Sequence, residues 1–358
     1  MNAALQSLPM IAVTVLAFGL LIVIHELGHY LAARWSGMRV ERFSVGFGPV
    51  IWSRRRGDTE WAVSAIPLGG YVKIAGMAPG EEIAADDRSA YSHQPAWRRF
   101  LVILAGPAMN YLLAVVLAAG LIATMGLREP DSTSTIGDVI GGGAAERAGL
   151  RPGDRIVAAA GAPIAGWTAL VTAVRAHPGQ DLSLEVERPG APAGSPPVTR
   201  TVTLRPDDSG GIGKAGIGPQ LRAVQAGPAE AVAMAFQKTN DKAGEILGGL
   251  GQVVTRKQKA ELQGPLGIAQ EMTRSARAGV APFLMMVWLI SLMLAIFNFL
   301  PLPALDGGRL VFLVYEIVAR RPVNQKAEAV IHTVGFLALL ALLLGVTVFG
   351  DLPRLFRR

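Results

Sequence analysis

Four stretches of this 358-residue chain are long and apolar enough to cross a lipid bilayer, and that property decides most of what the chain can fold into. A helix needs about 20 mostly apolar residues to span the hydrocarbon core. The first stretch runs from about Pro9 to Ala33, and the second covers Phe100–Met125, just after Arg98 and Arg99. The third begins near Phe283, is interrupted by Asn298, Pro301, Pro303 and Asp306, and resumes through Leu310–Val318; the fourth is roughly Val330–Phe349. No basic n-region precedes the first apolar run and no small-residue cleavage site follows it, so it reads as a retained span and not as a signal peptide. Composition agrees. The chain is 51% hydrophobic and 17% charged, against about 25% charged in an average soluble protein, which argues against both an ordinary soluble domain and a disordered one. It has no cysteine, so disulfides, thiolate nucleophiles and Cys-ligated metals are excluded.

Basic residues set the orientation, because cytoplasmic loops carry the excess of Lys and Arg. Arg34, Arg39, Arg42, Arg54, Arg55, Arg56, Lys73, Arg88, Arg98 and Arg99 lie between spans one and two, and Arg320, Arg321 and Lys326 between spans three and four. Both segments are therefore expected on the cytoplasmic side of a bacterial inner membrane, with the N-terminus and residues 130–280 outside. One signal disagrees: with four spans, Arg354, Arg357 and Arg358 would also lie outside. The formal net charge of +7 is read as these orientation signals and not as a nucleic-acid surface.

Within the extracytoplasmic stretch, Thr135–Ile140, Arg155–Ala159, Leu182–Glu187 and Thr201–Leu204 read as short strands, with Trp167–Ala176 a helix between two of them. Turn residues punctuate them at Arg151-Pro152-Gly153-Asp154, Ala162-Pro163 and His177-Pro178-Gly179. The run from Ala144 through Gly149-Leu150-Arg151-Pro152-Gly153-Asp154 to Ile156 resembles the PDZ modules of bacterial proteases, although Gly141–Gly143 replace the usual Ser-Pro pair, so no peptide-carboxylate loop is assigned. Segment Glu245–Val254 puts Ile246, Leu247, Leu250, Val253 and Val254 on one helical face. Such a helix either lies on the membrane surface or packs on the soluble module.

The fold class predicted is a polytopic α-helical membrane protein with a membrane-associated β-loop and one inserted α+β, PDZ-like extracytoplasmic domain. Its expected parts are a membrane part over 1–126, the PDZ-like domain over 127–207, a linker with the amphipathic helix over 208–282, and a second membrane part over 283–358.

The chemistry concentrates in His25-Glu26-Leu27-Gly28-His29, an H-E-x-x-H pattern. Residues i and i+4 share a helical face about 5–6 Å apart, so both imidazoles can ligate one ion while Glu26 stands beside them as a base. Ionisable groups inside a membrane helix are costly, and three on successive turns need a reason. The alternative is a motif at the cytoplasmic rim, reaching water beside Arg34. A catalytic zinc commonly takes three protein ligands and keeps one position open. Asp306 is the candidate third ligand, in a segment where Pro301, Pro303, Gly307 and Gly308 break an apolar span; broken helix at membrane depth is tolerated where it is buried in protein or lines a cavity. Equally, Asp306 can be a cap for the helix that follows. Zinc is the metal expected, and the same ligands suit other divalent ions.

An H-E-x-x-H in the first span, an N-x-x-P-x-P-x-x-D-G in the third and a PDZ-like module between spans two and three together resemble the site-2 protease family of intramembrane zinc metalloproteases, and within it the bacterial type that regulates sigma-E. The resemblance covers nearly the whole chain. It implies His25, His29 and Asp306 as zinc ligands, Glu26 as general base, and Asn298 and Pro301 as substrate-positioning residues. Phe43-Ser44-Val45-Gly46-Phe47-Gly48 resembles the family's glycine-containing β-loop that dips into the membrane, which makes Gly46 and Gly48 substrate-binding candidates or plain turn residues. Gly106-Pro107-Ala108-Met109-Asn110 resembles its second-span motif, where Asn110 serves the site or simply bonds a neighbouring helix. Independently, Phe43, Val45 and Phe47 alternate as a strand does, and Glu60–Ala65 with Tyr71–Ile74 can extend a small sheet whose edge would hold a substrate in extended form. The substrates implied are single-span membrane proteins such as an anti-sigma factor, or remnant signal peptides, cut first outside by a site-1 protease. Room for one PDZ-like module, not a tandem pair, departs from the family's best-known members.

Two other readings remain at this point: a membrane-tethered PDZ scaffold with an inactive metal site, and an ion transporter, which internal repeats would favour and none supports. His93 and His177 fall in polar loops, and His332 is read as interfacial. Trp35, Trp52, Trp61 and Trp97 are expected at membrane–water interfaces.

Overall fold

The computed structural model describes residues 2–78, 81–190, 195–255 and 264–353. It divides into two compact units, one made of residues 1–121 and 228–358 and the other of residues 122–227. Among the described residues, four helices are long and apolar enough to span: Pro9–Trp35, Ala96–Met125, Val280–Phe299 and Lys326–Asp351. The chain is therefore a polytopic helical membrane protein.

In the first unit, α1 (Asn2–Trp35) buries Thr14, Leu21, His25, Gly28, His29 and Ala33. That spacing is one helical stripe, so the H-E-x-x-H imidazoles lie on the face turned to protein. α2 (Ala96–Met125) answers with Ile103, Gly106, Asn110, Ala114 and Ala118. The two helices meet where a side chain on Gly28 would strike the Ala105 carbonyl oxygen at 2.2 Å, so glycine there is what permits the approach.

Between them, β1 (Val40–Arg56) and β2 (Thr59–Ile74) form a sheet in which each long strand is used twice. Residues 50–56 pair antiparallel with 59–64 around the Gly57 turn, and 40–45 pair antiparallel with 70–74. Residues 42–45 also lie beside 60–63, Phe43 next to Trp61 and Val45 next to Val63, which places 70–74 at an edge. The turn before that edge docks on α1: a side chain on Gly19 would meet the Pro67 carbonyl at 2.7 Å. The far face is apolar and open, with Phe47, Val50, Ile51, Trp52 and Ile66 exposed. Trp61 packs edge-on to Tyr30 and tilted to Phe43, each at a centroid distance of 5.0 Å, whereas Trp35, Trp52 and Trp97 are exposed.

The remaining unit-one helices follow the second unit in sequence. α5 (Pro228–Val254), α6 (Pro265–Ala278) and α7 (Val280–Phe299) pack with the spans, with Met272 of α6 buried among Leu21, Val287 and Ile290. Segment 245–254 is the end of α5, and α5 meets the membrane helices themselves: Trp288 Nε1 donates to Thr239 Oγ1 at 3.2 Å, and the Tyr111 hydroxyl donates to Asn240 Oδ1 at 2.9 Å. These contacts lie upstream of residues 245–254, where Leu247 stays exposed. α7 is followed by a break, then α8 (Asp306–Ala319) and α9 (Gln325–Gly345). Past α9, a short π-helical turn ends in buried Asp351, whose carboxylate accepts the backbone N–H of Gly264 and Gly267, both at 3.0 Å. The end of the fourth apolar helix thus caps the start of α6. Arg354, Arg357 and Arg358, the basic tail in question, lie outside the described residues.

The second unit is an α+β module. A four-stranded sheet of order β6 (Ala162–Pro163), β5 (Arg155–Ala159), β7 (Leu182–Arg188) and β8 (Val198–Leu204) packs with α4 (Trp167–Arg175) over Ile136, Ile156, Leu170, Leu184 and Val186. Short α3 (Ala144–Arg147) contributes Ala144 and Ala145 to the same core. Asp154, in the Arg-Pro-Gly-Asp turn, is buried and accepts Arg188 Nε and Nη2, each at 2.6 Å. The unit runs past residue 207, where a linker was expected. β9 (Asp207–Asp208) pairs with β10 (Gly213–Lys214), β11 (Ile217–Pro219) with β4 (Ile136–Val139), and β12 (Leu221–Val224) with β3 (Leu127–Pro130). β11 and β12 thus close on the module's first strands, a long-range pairing that short, weakly alternating segments do not announce.

Candidate metal centre

His25 and His29 project from one turn of α1 with their rings 4.8 Å apart. Asp306 reaches them from the start of α8: its Oδ2 lies 2.9 Å from His25 Nε2 and 3.4 Å from His29 Nε2, and the two Nε2 atoms are 3.1 Å apart. Donors bonded to one zinc at about 2.0–2.1 Å with tetrahedral angles stand roughly 3.3–3.4 Å apart, so the three atoms suit a single ion. No other group of His, Asp and Glu among the described residues converges in this way.

Each ligand is held by a local device. His29 Nδ1 donates to the Val102 carbonyl of α2 at 2.8 Å, which leaves Nε2 with its lone pair free. The amide of Asn110, wholly buried, lies 3.3 Å from His25 Nδ1. A His25 that offers Nε2 to a metal carries its proton on Nδ1, so the chemistry calls for Oδ1 at that end of the amide. Gly106 makes room for both rings, since a Cβ there would stand 2.4 Å from His29 Nε2 and 2.8 Å from His25 Nε2.

The Asp306 side is a tight turn between α7 and α8. Pro301 and Pro303 stop α7 from continuing, Ala304 sits at φ +77°, and Gly307 and Gly308 let the first turn of α8 lie against the Leu300 and Leu302 carbonyls. A side chain on Gly307 would meet Leu300 O at 1.9 Å. Asp306 is the first residue of α8 and not its cap; that position is Leu305, which has no capping side chain. The carboxylate is turned instead to the two histidines.

These groups line a cavity of about 640 Å³ together with Glu26, Ile22, Tyr71, Val72, Leu294, Asn298, His332 and Phe336. Glu26 Oε2 accepts the backbone N–H of Val72 at 3.0 Å, which ties the edge strand 70–74 directly to the acid beside the ligands. Pro301 belongs to the turn without lining the cavity. Gly46 and Gly48 do not line it either: Gly46 sits inside the sheet, where a side chain would strike the Ile66 and Ser64 carbonyls. Val72 falls in the expected Tyr71–Ile74 strand and Gly106 in the second-span motif, but the cavity roles of Val72 and His332 and the clearance that Gly106 gives the two rings were not expected, because a backbone N–H and a bare Cα leave no side-chain signal.

Two histidines on the first span and an aspartate at the start of α8, gathered beside a glutamate, form a donor set of the kind a metalloprotease uses. Residues 13–342 match peptidase family M50, and the chain belongs to that family, the site-2 proteases. The zinc metalloprotease RasP of Geobacillus kaustophilus is 30% identical to it over 98% of this chain and 99% of its own. RseP, the regulator of sigma-E protease of Salmonella typhimurium, is 32% identical over 96% and 98% respectively. A relative in Brucella suis is 34% identical over 92% of each chain. The chain is thus an intramembrane zinc metalloprotease, and the scaffold and transporter readings fall with this membership.

Proposed function

We propose that His25, His29 and Asp306 hold the zinc and that Glu26 is the general base for hydrolysis of a peptide bond within or near the transmembrane segment of a single-span protein. The observation that carries the reading is the convergence of those three donor atoms beside Glu26. Zinc, when bound, supplies Lewis acidity at the scissile carbonyl. Glu26 Oε2 is fixed by Val72 N–H, leaving Oε1 to take the proton of the attacking water and deliver it to the leaving amine.

A substrate helix has its backbone hydrogen bonds closed and must be unwound before attack. The edge at 70–74 is suited to receive the unwound segment by strand addition, with Asn298 at the end of α7 lining the same cavity. Gly46 and Gly48 shape the sheet behind that edge, and Pro301 shapes the turn that carries Asp306. The apolar face of the sheet is open while its turn at Pro67 docks on α1, which supports its lying at membrane depth as a membrane-associated β-loop.

The second unit is read as the PDZ-like module, periplasmic, and acts as a filter against long uncleaved ectodomains. The substrates are then an anti-sigma factor or remnant signal peptides already cut by a site-1 protease; similarity to a regulator of sigma-E protease favours the former. The alignment to that relative runs over 452 positions and the Brucella one over 358, against 358 residues here, in keeping with one module in this chain. The test offers purified protein in detergent two model substrates that differ only in ectodomain length. Cleavage of the short form alone supports the reading, equal cleavage of both removes the filter, and cleavage of neither removes the proposed substrate class.

A further inference from the structure

The fourth span has little of its surface buried, and none of the strongly apolar part of Lys326–Asp351 counts as buried. Two residues on one face meet the turn that carries Asp306. His332 Nδ1 accepts the backbone N–H of Ala304 at 3.1 Å, and a side chain on Gly335, three residues on, would stand 2.2 Å from Pro303 Cβ. Ala304 is the turn residue at φ +77°, a conformation that L side chains rarely adopt, and it precedes Asp306 by two positions. The imidazole also lies against Phe312 of α8, with ring centroids 5.7 Å apart. An Nδ1 that accepts requires the proton on Nε2, and that nitrogen is buried with no hydrogen-bond partner. A half-buried imidazole with one nitrogen shut away and unbonded is a costly way to pack a span against lipid, which points to its bonded half as the reason for it.

We propose that His332 is a positioning residue for the metal site: by accepting the Ala304 N–H it holds the left-handed turn that sets Asp306 against His25 and His29. The inference rests on the reading of Asp306 as a ligand. Gly335 is the complementary device, allowing α9 close enough for the bond to form. An imidazole reaching across from α9 therefore acts on the ligand through the backbone, without touching the metal.

The experiment uses the full chain in detergent and measures zinc affinity by chelator competition, with kcat and KM at limiting and at saturating free zinc. Removing a group that orients a ligand typically costs 10–100-fold in metal affinity. His332→Ala is expected to lose about that much, with turnover recovering as zinc is raised and KM little changed. His332→Gln, which can still accept the Ala304 N–H, is expected to recover most of the loss, and His332→Phe, which keeps the ring without the acceptor, to recover none. Gly335→Ala is expected to weaken zinc binding in the same way, and the two changes together to be less than multiplicative. Wild-type zinc affinity in His332→Ala, or equal behaviour of the Gln and Phe variants, overturns the proposal. A loss that added zinc does not repair also overturns it. Wild-type protein that binds no zinc overturns the metalloprotease reading itself.

Discussion

Gly106→Ala adds a single methyl group where the structure leaves least room for one. Built on the existing backbone, the new Cβ stands 2.4 Å from His29 Nε2, 2.6 Å from His29 Cε1 and 2.8 Å from His25 Nε2. Ordinary contact begins near 3.4 Å, so the His29 ring must retreat by about 1 Å, while a working metal site tolerates ligand displacements of about 0.2 Å. The ring is also tied to the Val102 carbonyl, one turn before Gly106 on α2 itself, which limits where it can go. Zinc affinity is expected to fall at least 10–100-fold, or about 1.4–2.8 kcal/mol. The sign is opposite to helix propensity, since Gly→Ala in a helix interior otherwise gains up to about 1 kcal/mol. Gly120→Ala on the same helix is the control, because nothing lies within 4 Å of its added Cβ. Zinc per chain, chelator competition and thermal stability are measured on both variants. A Gly106→Ala protein that is stable and binds zinc as wild type does would refute the placement of the two imidazoles.

Other consequences follow from the same contacts. Asn110→Ala is expected to weaken zinc binding about 10–100-fold by freeing His25 Nδ1, while Asn110→Asp, which still offers an oxygen there, keeps most of the affinity; equal loss in both would remove the amide from the ligand's support. Gly28→Ala drives a methyl group into the Ala105 carbonyl, a backbone atom that cannot swing aside, so a large loss of thermal stability is expected, and an unchanged melting profile would contradict the helix crossing. Val72→Pro removes the N–H that fixes Glu26 and is tolerated by an edge strand; turnover is expected to drop roughly tenfold with zinc content unchanged, and lost zinc would mean that the sheet itself had been disrupted. Asp154→Ala leaves Arg188 without its carboxylate, at a cost of about 3 kcal/mol, read as faster proteolysis within residues 122–227 of the full chain; unaltered protection there would show that the pair contributes little.

Apolar length located four spans, because a bilayer demands about 20 such residues and few other folds do, but it ran the third too far: that span ends at Phe299, and Leu310–Val318 belongs to the separate helix α8. His25 and His29 were legible through helical spacing. Asp306 stood out because two prolines and two glycines around an acid are hard to place in an unbroken span. What the sequence hid depends on partners far away in the chain. β11 and β12 pair with strands more than seventy residues earlier, Trp61 is taken into an aromatic cluster with Tyr30 and Phe43, and α5 finds α7 through Thr239 and Trp288. The bond of His332 was hidden for the same reason: it goes to a backbone N–H, which no side-chain pattern encodes. The glycines of the β-loop invited a substrate role, yet the strand that borders the cavity is 70–74, and only pairing register could reveal which strand is the edge.

The most direct test of the account pairs metal content with turnover in wild type and Glu26→Gln, both purified in detergent and offered a model single-span substrate. Glu26 stands beside the three donor atoms without being one of them. The account expects about one zinc per chain in both proteins and cleavage in wild type only. Cleavage by Glu26→Gln, or zinc lost with the glutamate, would contradict it.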